Sequence, residues 1–257
     1  MAFLELNCFS STLGMAVNVN VILPEAFHSV DMDSNSESTY RTLYLLHGLS
    51  DDQTIWERRT TIELYAAYKG IAVVMPNGGR SWYTDCANGA NYFTFITKEL
   101  PSICRGFFRG MSAKPEDNFI AGLSMGGYGA TKIGLSCPDV FGGFASLSGA
   151  VDITDIPFAW DNEWQGIFGF DVKGYDSLKG TKHDCFALAD EYAQKGLPFP
   201  KAYFWCGTED FLIAANRRFD KHLNQLGYAH KYEESEGNHS WPYWDKHIRD
   251  AIDYLFG

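Results

Sequence analysis

The chain has no surplus of positive charge: 21 Lys and Arg stand against 32 Asp and Glu, a formal net charge of −11. Non-specific binding to nucleic acid or to an anionic membrane surface depends on basic patches, so neither is an expected partner. No apolar run approaches the roughly 18 residues a membrane-spanning helix needs. The opening stretch, "MAFLELNCFS", has neither a basic n-region nor an apolar h-region, so no secretory leader is expected. Six cysteines (Cys8, Cys86, Cys104, Cys137, Cys185 and Cys206) are scattered without a C-x-x-C pair. That spacing suits neither a zinc site nor a small disulfide framework. Buried thiols in a reducing cytoplasm are the reading it favours, with an extracytoplasmic, disulfide-bonded form as the alternative. There is no H-E-x-x-H, Asp51, Asp52 and Glu57 lack calcium-loop spacing, and "MPNGGR" lacks the Lys-Ser/Thr ending of a phosphate loop. No metal and no cofactor are therefore expected.

What is present points to a folded α/β protein. Hydrophobic residues make up 46% and aromatic residues 16% of 257 positions, ample for a core. The length fits one large α/β domain or two small ones, and a single domain over 1–257 is our expectation. Residues 16–23 alternate apolar and polar, the period of a half-buried strand, and 24–39 read as an exposed polar loop containing His28. Residues 42–46 and 71–75 are near-continuous apolar runs, the pattern of parallel strands buried on both faces. Further strands are predicted at 118–121, 141–147, 201–206 and 229–234. Helices are predicted at 60–69, 91–108 (kinked at Pro101), 130–135, 210–226 and 241–255. Such alternation implies a mostly parallel central sheet flanked by helices, with a site built at the carboxyl ends of the strands. Residues 151–200 fit the alternation poorly and read as a small cap-like insertion, a plain surface excursion being the alternative.

Four glycines lie within five residues of Ser124 in "IAGLSMGGYGA". Gly122, Ser124 and Gly126 match G-x-S-x-G, in which a serine sits on a tight strand-to-helix turn with its hydroxyl presented to substrate. The short motif gains weight from its flanks, an apolar run before it and a helical run after it, which a flexible linker would lack. A serine hydroxyl needs a base oriented by a carboxylate. Of seven histidines, His239 in "EGNHSW" occupies a loop between the last extended segment and the last helix, placed to reach Ser124. A surface-loop histidine is the plainer reading. For the acid, "CGTEDFL" offers Glu209 and Asp210; the chain order Ser, Asp, His prefers Asp210, although both also suit a helix start. The N–H groups of Met125 and Leu49, the latter freed by a turn at His47-Gly48, are the expected oxyanion donors. His47 itself reads as a structural hydrogen-bonding residue.

Taken together, "LYLLHGLSDDQTIWERRT", "VVMPNGGRSWYTD", "FIAGLSMGGYGA", "CGTEDFL" and "GNHSWPYWD" resemble the tributyrin-esterase branch of the esterase D (S-formylglutathione hydrolase-like) family. The likeness runs from about residue 16 to the C-terminus and is loosest over 151–200. It implies an α/β-hydrolase fold and a serine carboxylesterase for short acyl chains, with Ser124 as nucleophile, Asp210 as acid and His239 as base. It also implies a cytoplasmic location and a homo-oligomer. Trp56, Trp82, Tyr83 and Trp241 are expected to line the substrate pocket, with core packing as the alternative, and Trp160 and Trp164 to stand at its entrance. That pocket would suit aliphatic, phenolic or sugar-acetyl esters. Acyl transfer or thioester hydrolysis on the same triad, and a non-catalytic binding protein, are the competing readings.

Overall fold

The computed structural model describes residues 1–25, 39–156, 161–169, 175–196 and 198–257. Most of the predicted polar loop, including His28, and the entrance residue Trp160 lie outside the described residues. Eight strands form one sheet: β1 (Ala2–Ser10), β2 (Met15–Leu23), β3 (Thr42–Leu46), β4 (Ala72–Pro76), β5 (Asn118–Leu123), β6 (Gly143–Leu147), β7 (Lys201–Gly207) and β8 (Lys231–Ser235). Their order is β1-β2-β4-β3-β5-β6-β7-β8. β1 and β2 form an antiparallel hairpin, β2 meets β4 antiparallel, and every later pairing is parallel.

The apolar runs explain the middle of this sheet. β3, β4, β5 and β6 are buried along their whole length, and successive side chains face opposite layers. Tyr44 and Leu46 join one core, with Ile120, Phe144 and Phe204; Leu43 and Leu45 join the other, with Val73, Phe119, Leu147 and Trp205. Each such fully buried aliphatic or aromatic side chain contributes roughly 1.5–3 kcal/mol.

Nine helices cover the described sheet: α1 (Ile55–Arg59), α2 (Ile62–Lys69), α3 (Tyr92–Thr94), α4 (Leu100–Phe107), α5 (Met125–Ser136), α6 (Asp161–Phe168), α7 (Cys185–Gln194), α8 (Ile213–Gln225) and α9 (Trp241–Phe256). α1, α2 and α9 pack together on one face, whereas α5 and α7 pack together on the other. The helix expected over 91–108 is continuous but not uniform. A π-helical turn, Phe95–Glu99, joins α3 to α4 just ahead of Pro101. Pro101 has no N–H to donate to the carbonyl four residues back, and the widened turn accommodates that loss.

The parallel strands β3, β4, β5, β7 and β8 all end on the same edge of the sheet. The loops that leave that edge carry His47 to Leu49, Gly78 to Tyr83, Ser124, Asp210 and His239.

Candidate active site

β5 ends at Leu123 and α5 begins at Met125, so one residue turns the chain. Ser124 does so at φ 53°, ψ −117°, a conformation that a residue with a side chain holds only under constraint. Its N–H donates to the Leu147 carbonyl at 3.0 Å, and its own carbonyl accepts from Tyr128 at 3.0 Å and Ala150 at 3.1 Å. Two glycines make the turn possible. A Cβ on Gly122 would strike the Gly126 backbone, and one on Gly126 would lie 2.5 Å from the Leu46 carbonyl oxygen. The turn therefore lets α5 dock tightly on the sheet, and its N-terminal N–H groups and positive dipole end lie beside the serine.

Ser124 Oγ lies 3.0 Å from His239 Nε2. His239 Nδ1 lies 2.9 Å from Asp210 Oδ2 and 3.1 Å from Oδ1. An ionised carboxylate only accepts, so Nδ1 carries the proton and Nε2 is left to accept from the serine hydroxyl. Asp210, 2% exposed, also accepts from the Leu212 N–H at 2.9 Å, which fixes its carboxyl group. The structure thus brings together the three residues that the motifs singled out, although they come from the ends of three strands.

Glu209, the alternative acid, holds the loop that carries His239. Its Oε2 accepts from the Gly237 N–H at 2.6 Å, and its own N–H donates to the Gly237 carbonyl at 2.9 Å. The Gly237 N–H, with a second bond from the Thr208 hydroxyl, holds the Glu209 carboxylate below the ordinary glutamate range. The loops touch so closely that a Cβ on Gly207 would collide with the Gly237 carbonyl.

The loop after β3 lies against the serine: a Cβ on Gly48 would be 3.9 Å from Ser124 Cβ. His47 orients it. The Gly78 N–H donates to His47 Nε2 at 2.8 Å, so Nδ1 carries the proton and donates to the Gly48 carbonyl at 2.7 Å. Burial lowers the His47 pKa and favours this neutral form. Fixing the Gly48 carbonyl also fixes the Leu49 N–H, since the two belong to one peptide plane. Neither the Leu49 nor the Met125 N–H has an acceptor among the described residues.

The aromatic residues expected at the pocket fall into different places. Trp56 is 1% exposed, donates from Nε1 to the Leu46 carbonyl at 3.0 Å, and packs edge-on against Trp241. Tyr83 is fully buried and donates its hydroxyl to the His47 carbonyl at 2.9 Å. Both are core residues under the loops, with no surface left for a substrate. Trp82 is buried between Tyr128 and Trp164, and Trp164 packs in turn, tilted, against Phe168 of α6. Trp241 is half-buried at the start of α9. Sequence reasoning missed the two rings that flank His239. Phe211 is half-exposed with its centroid 4.5 Å from the imidazole, and Trp244 meets it edge-on at 4.9 Å. The adjacency of Phe211 to Asp210, and of Trp244 to the "GNHSW" loop, was the available signal.

A mostly parallel sheet covered on both faces, with a serine on the turn between strand and helix and a histidine and an aspartate beyond later strands, defines an α/β-hydrolase. Comparison with known proteins narrows the class. The chain belongs to the esterase family: the model of that family, described as "Putative esterase", matches residues 10–255. It is 34% identical over 267 residues to an acetyl esterase of Caldicellulosiruptor saccharolyticus, an alignment covering 99% of this chain and 98% of that one. Among solved structures it is similar to fluorophosphonate-binding serine hydrolase F of Staphylococcus aureus, with a TM-score of 0.90, 36% identity and coverage of 100% and 98%. An S-formylglutathione hydrolase of Staphylococcus aureus is similar at a TM-score of 0.89 and 36% identity, covering 100% and 99%. The protein is a serine esterase, a carboxylic ester hydrolase acting on small-molecule esters. No helix among the described residues is long and apolar enough to cross a membrane.

Proposed function

We propose that Ser124, His239 and Asp210 form the catalytic triad of a hydrolase for short-chain acyl esters, the activity of the tributyrin-esterase branch. The observation that carries this reading is the unbroken chain of hydrogen bonds from Ser124 Oγ through His239 to a buried Asp210, at the N-terminus of a 12-residue helix. His239 Nε2 takes the hydroxyl proton as Oγ attacks the ester carbonyl. The Leu49 and Met125 N–H groups receive the oxyanion, a contribution of roughly 3 kcal/mol per donor. The alcohol leaves with the proton from His239, and water activated by the same imidazole then releases the acid and restores the serine. The name of the acetyl-esterase relative supports a small acyl group. Residues 151–200, with Trp164 on α6 packed against Trp82, serve as a cap beside this site. A cytoplasmic homo-oligomer is the form the resemblance implies, to be tested by cell fractionation and sedimentation.

The test is hydrolysis of p-nitrophenyl esters from acetyl to palmitoyl, with Ser124→Ala alongside. Turnover should peak at short chains and fall by at least about 10⁴-fold in the variant; turnover that survives the substitution would refute the assignment. A second reading, thioester hydrolysis, is favoured by the S-formylglutathione hydrolase likeness. Comparing kcat/KM for S-formylglutathione with that for p-nitrophenyl acetate decides between them.

A further inference from the structure

A cavity of about 260 Å³ lies on the α5 side of the sheet, away from the serine turn, walled in part by Thr84, Asp85, Phe93, Lys132, Lys182 and His183. Lys132 sits eight residues beyond Ser124 on α5 and is 2% exposed. Its Nζ donates to Thr84 Oγ1 and, at 3.5 Å, to the Trp82 carbonyl. It lies 5.0 Å from the centre of the Tyr128 ring and 5.5 Å from that of Phe93. It forms no ion pair among the described residues. Asp85 is engaged elsewhere, accepting from the Thr94 N–H at 2.8 Å and the Thr94 hydroxyl at 2.7 Å.

His183 shares the wall. It is 7% exposed, and its buried Nδ1 has no partner among the described residues. A buried amine without a counter-charge and a buried ring nitrogen without a partner are both unfavourable, and here they border one void. Burial pushes the Lys132 pKa down to about 7 and that of His183 down to about 3. The imidazole is therefore neutral, with one N–H to donate. Of the groups facing Lys132, Asp85, Cys86 and Cys185 favour its charged form, and Lys182 opposes it.

We infer that this cavity binds a small carboxylate, held by Lys132 Nζ and a His183 ring N–H, with its aliphatic part against Phe93. One cation and one neutral donor match the two oxygens of a carboxylate, whereas a phosphate dianion would leave charge unmatched beside Asp85. The size agrees: an apolar void of about 150 Å³ already holds a six-carbon ring. Ester hydrolysis releases an acid of this class, so the enzyme's own product is a natural occupant. The site does not depend on the role given to Ser124.

Calorimetric titration of butyrate into protein whose active-site serine has been capped with a phosphonate, or into Ser124→Ala if capping fails, tests the inference. Wild-type protein should bind one butyrate saturably, and Lys132→Met should bind it at least about tenfold more weakly, the effect of losing about 1.4 kcal/mol. Equal affinity in the two proteins, or no saturable binding, would overturn it. If Lys132→Met does not fold, wild type alone decides, titrated at about pH 8 in buffers of different ionisation enthalpy. There the free amine is mostly neutral, and an arriving anion raises its pKa, so binding must take up protons. Absence of uptake would overturn the site.

Discussion

His47 touches no reacting atom in the scheme above, yet it sets the direction of the Leu49 N–H by holding the Gly48 carbonyl at 2.7 Å. His47→Ala should therefore lower kcat by roughly 10- to 100-fold with KM little changed, short of the ~10²–10³ of losing a donor outright. Steady-state kinetics on p-nitrophenyl acetate would show it, and an unchanged kcat would mean that the loop holds itself. A second serine–histidine–aspartate grouping sharpens the main assignment. Ser235 Oγ lies 3.3 Å from His247 Nε2, and His247 Nδ1 lies 2.9 Å from Asp250. Ser235, however, ends an extended strand with no helix N-terminus behind it, and its oxygen already accepts from Trp205 Nε1 at 3.0 Å. Peptide mapping after phosphonate treatment should find the adduct on Ser124 alone; an adduct on Ser235 would reverse the assignment.

Among the elements, α5 is buried from Met125 to Leu135, so the serine rides on a helix that has no freedom to shift. Gly126→Ala would force a Cβ against two backbone carbonyls and should destabilise the protein by about 1–3 kcal/mol or more, read as a lower urea midpoint. Gly207→Ala would drive a Cβ into the Gly237 backbone of the His239 loop, so it should lower both kcat and the urea midpoint. Sequence patterning revealed β2 to β7 because their apolar runs or alternation are strong signals, and β8, "KYEES", only as a short extended segment. β1 is harder to read: Leu4, Leu6 and Cys8 alternate with exposed residues, but Phe3 and Phe9 on the exposed side blur the period. α6 and α7 were hidden within an aromatic, glycine-rich stretch with no clean period. α7 nonetheless begins with a side-chain cap, Asp184 accepting from the Phe186 N–H at 3.0 Å.

For the molecule as a whole, His47, His183 and His247 all have pKa values lowered by burial, His183 to about 3. An unfolded chain protonates them below about pH 6.5, where the native chain does not. The unfolded state then binds more protons, so stability is fully present above that pH and falls as pH drops below it, by at most about 1.4 kcal/mol per pH unit per group. Urea midpoints taken between about pH 7 and pH 5 should decline, and His183→Phe should flatten the slope. The triad was legible because turn chemistry and chain order are local properties of a sequence. The clamp from Glu209 to Gly237, the His47 bond to Gly78 and the rings around His239 were not. The first two arise only when loops 28 and 31 residues apart are brought together by the sheet, and the rings show only as neighbours of Asp210 and His239 in the sequence.

That dependence gives the enzyme a use as its own gauge. The sheet edge supplies the serine from the end of β5, the aspartate from the end of β7 and the histidine from beyond β8, so the three meet only when the parallel strands are in register. Turnover then counts intact molecules. Initial rates measured across a denaturant series should trace the same curve as the loss of sheet signal, and a library of variants can be ranked for stability by residual hydrolysis, without purification of any of them.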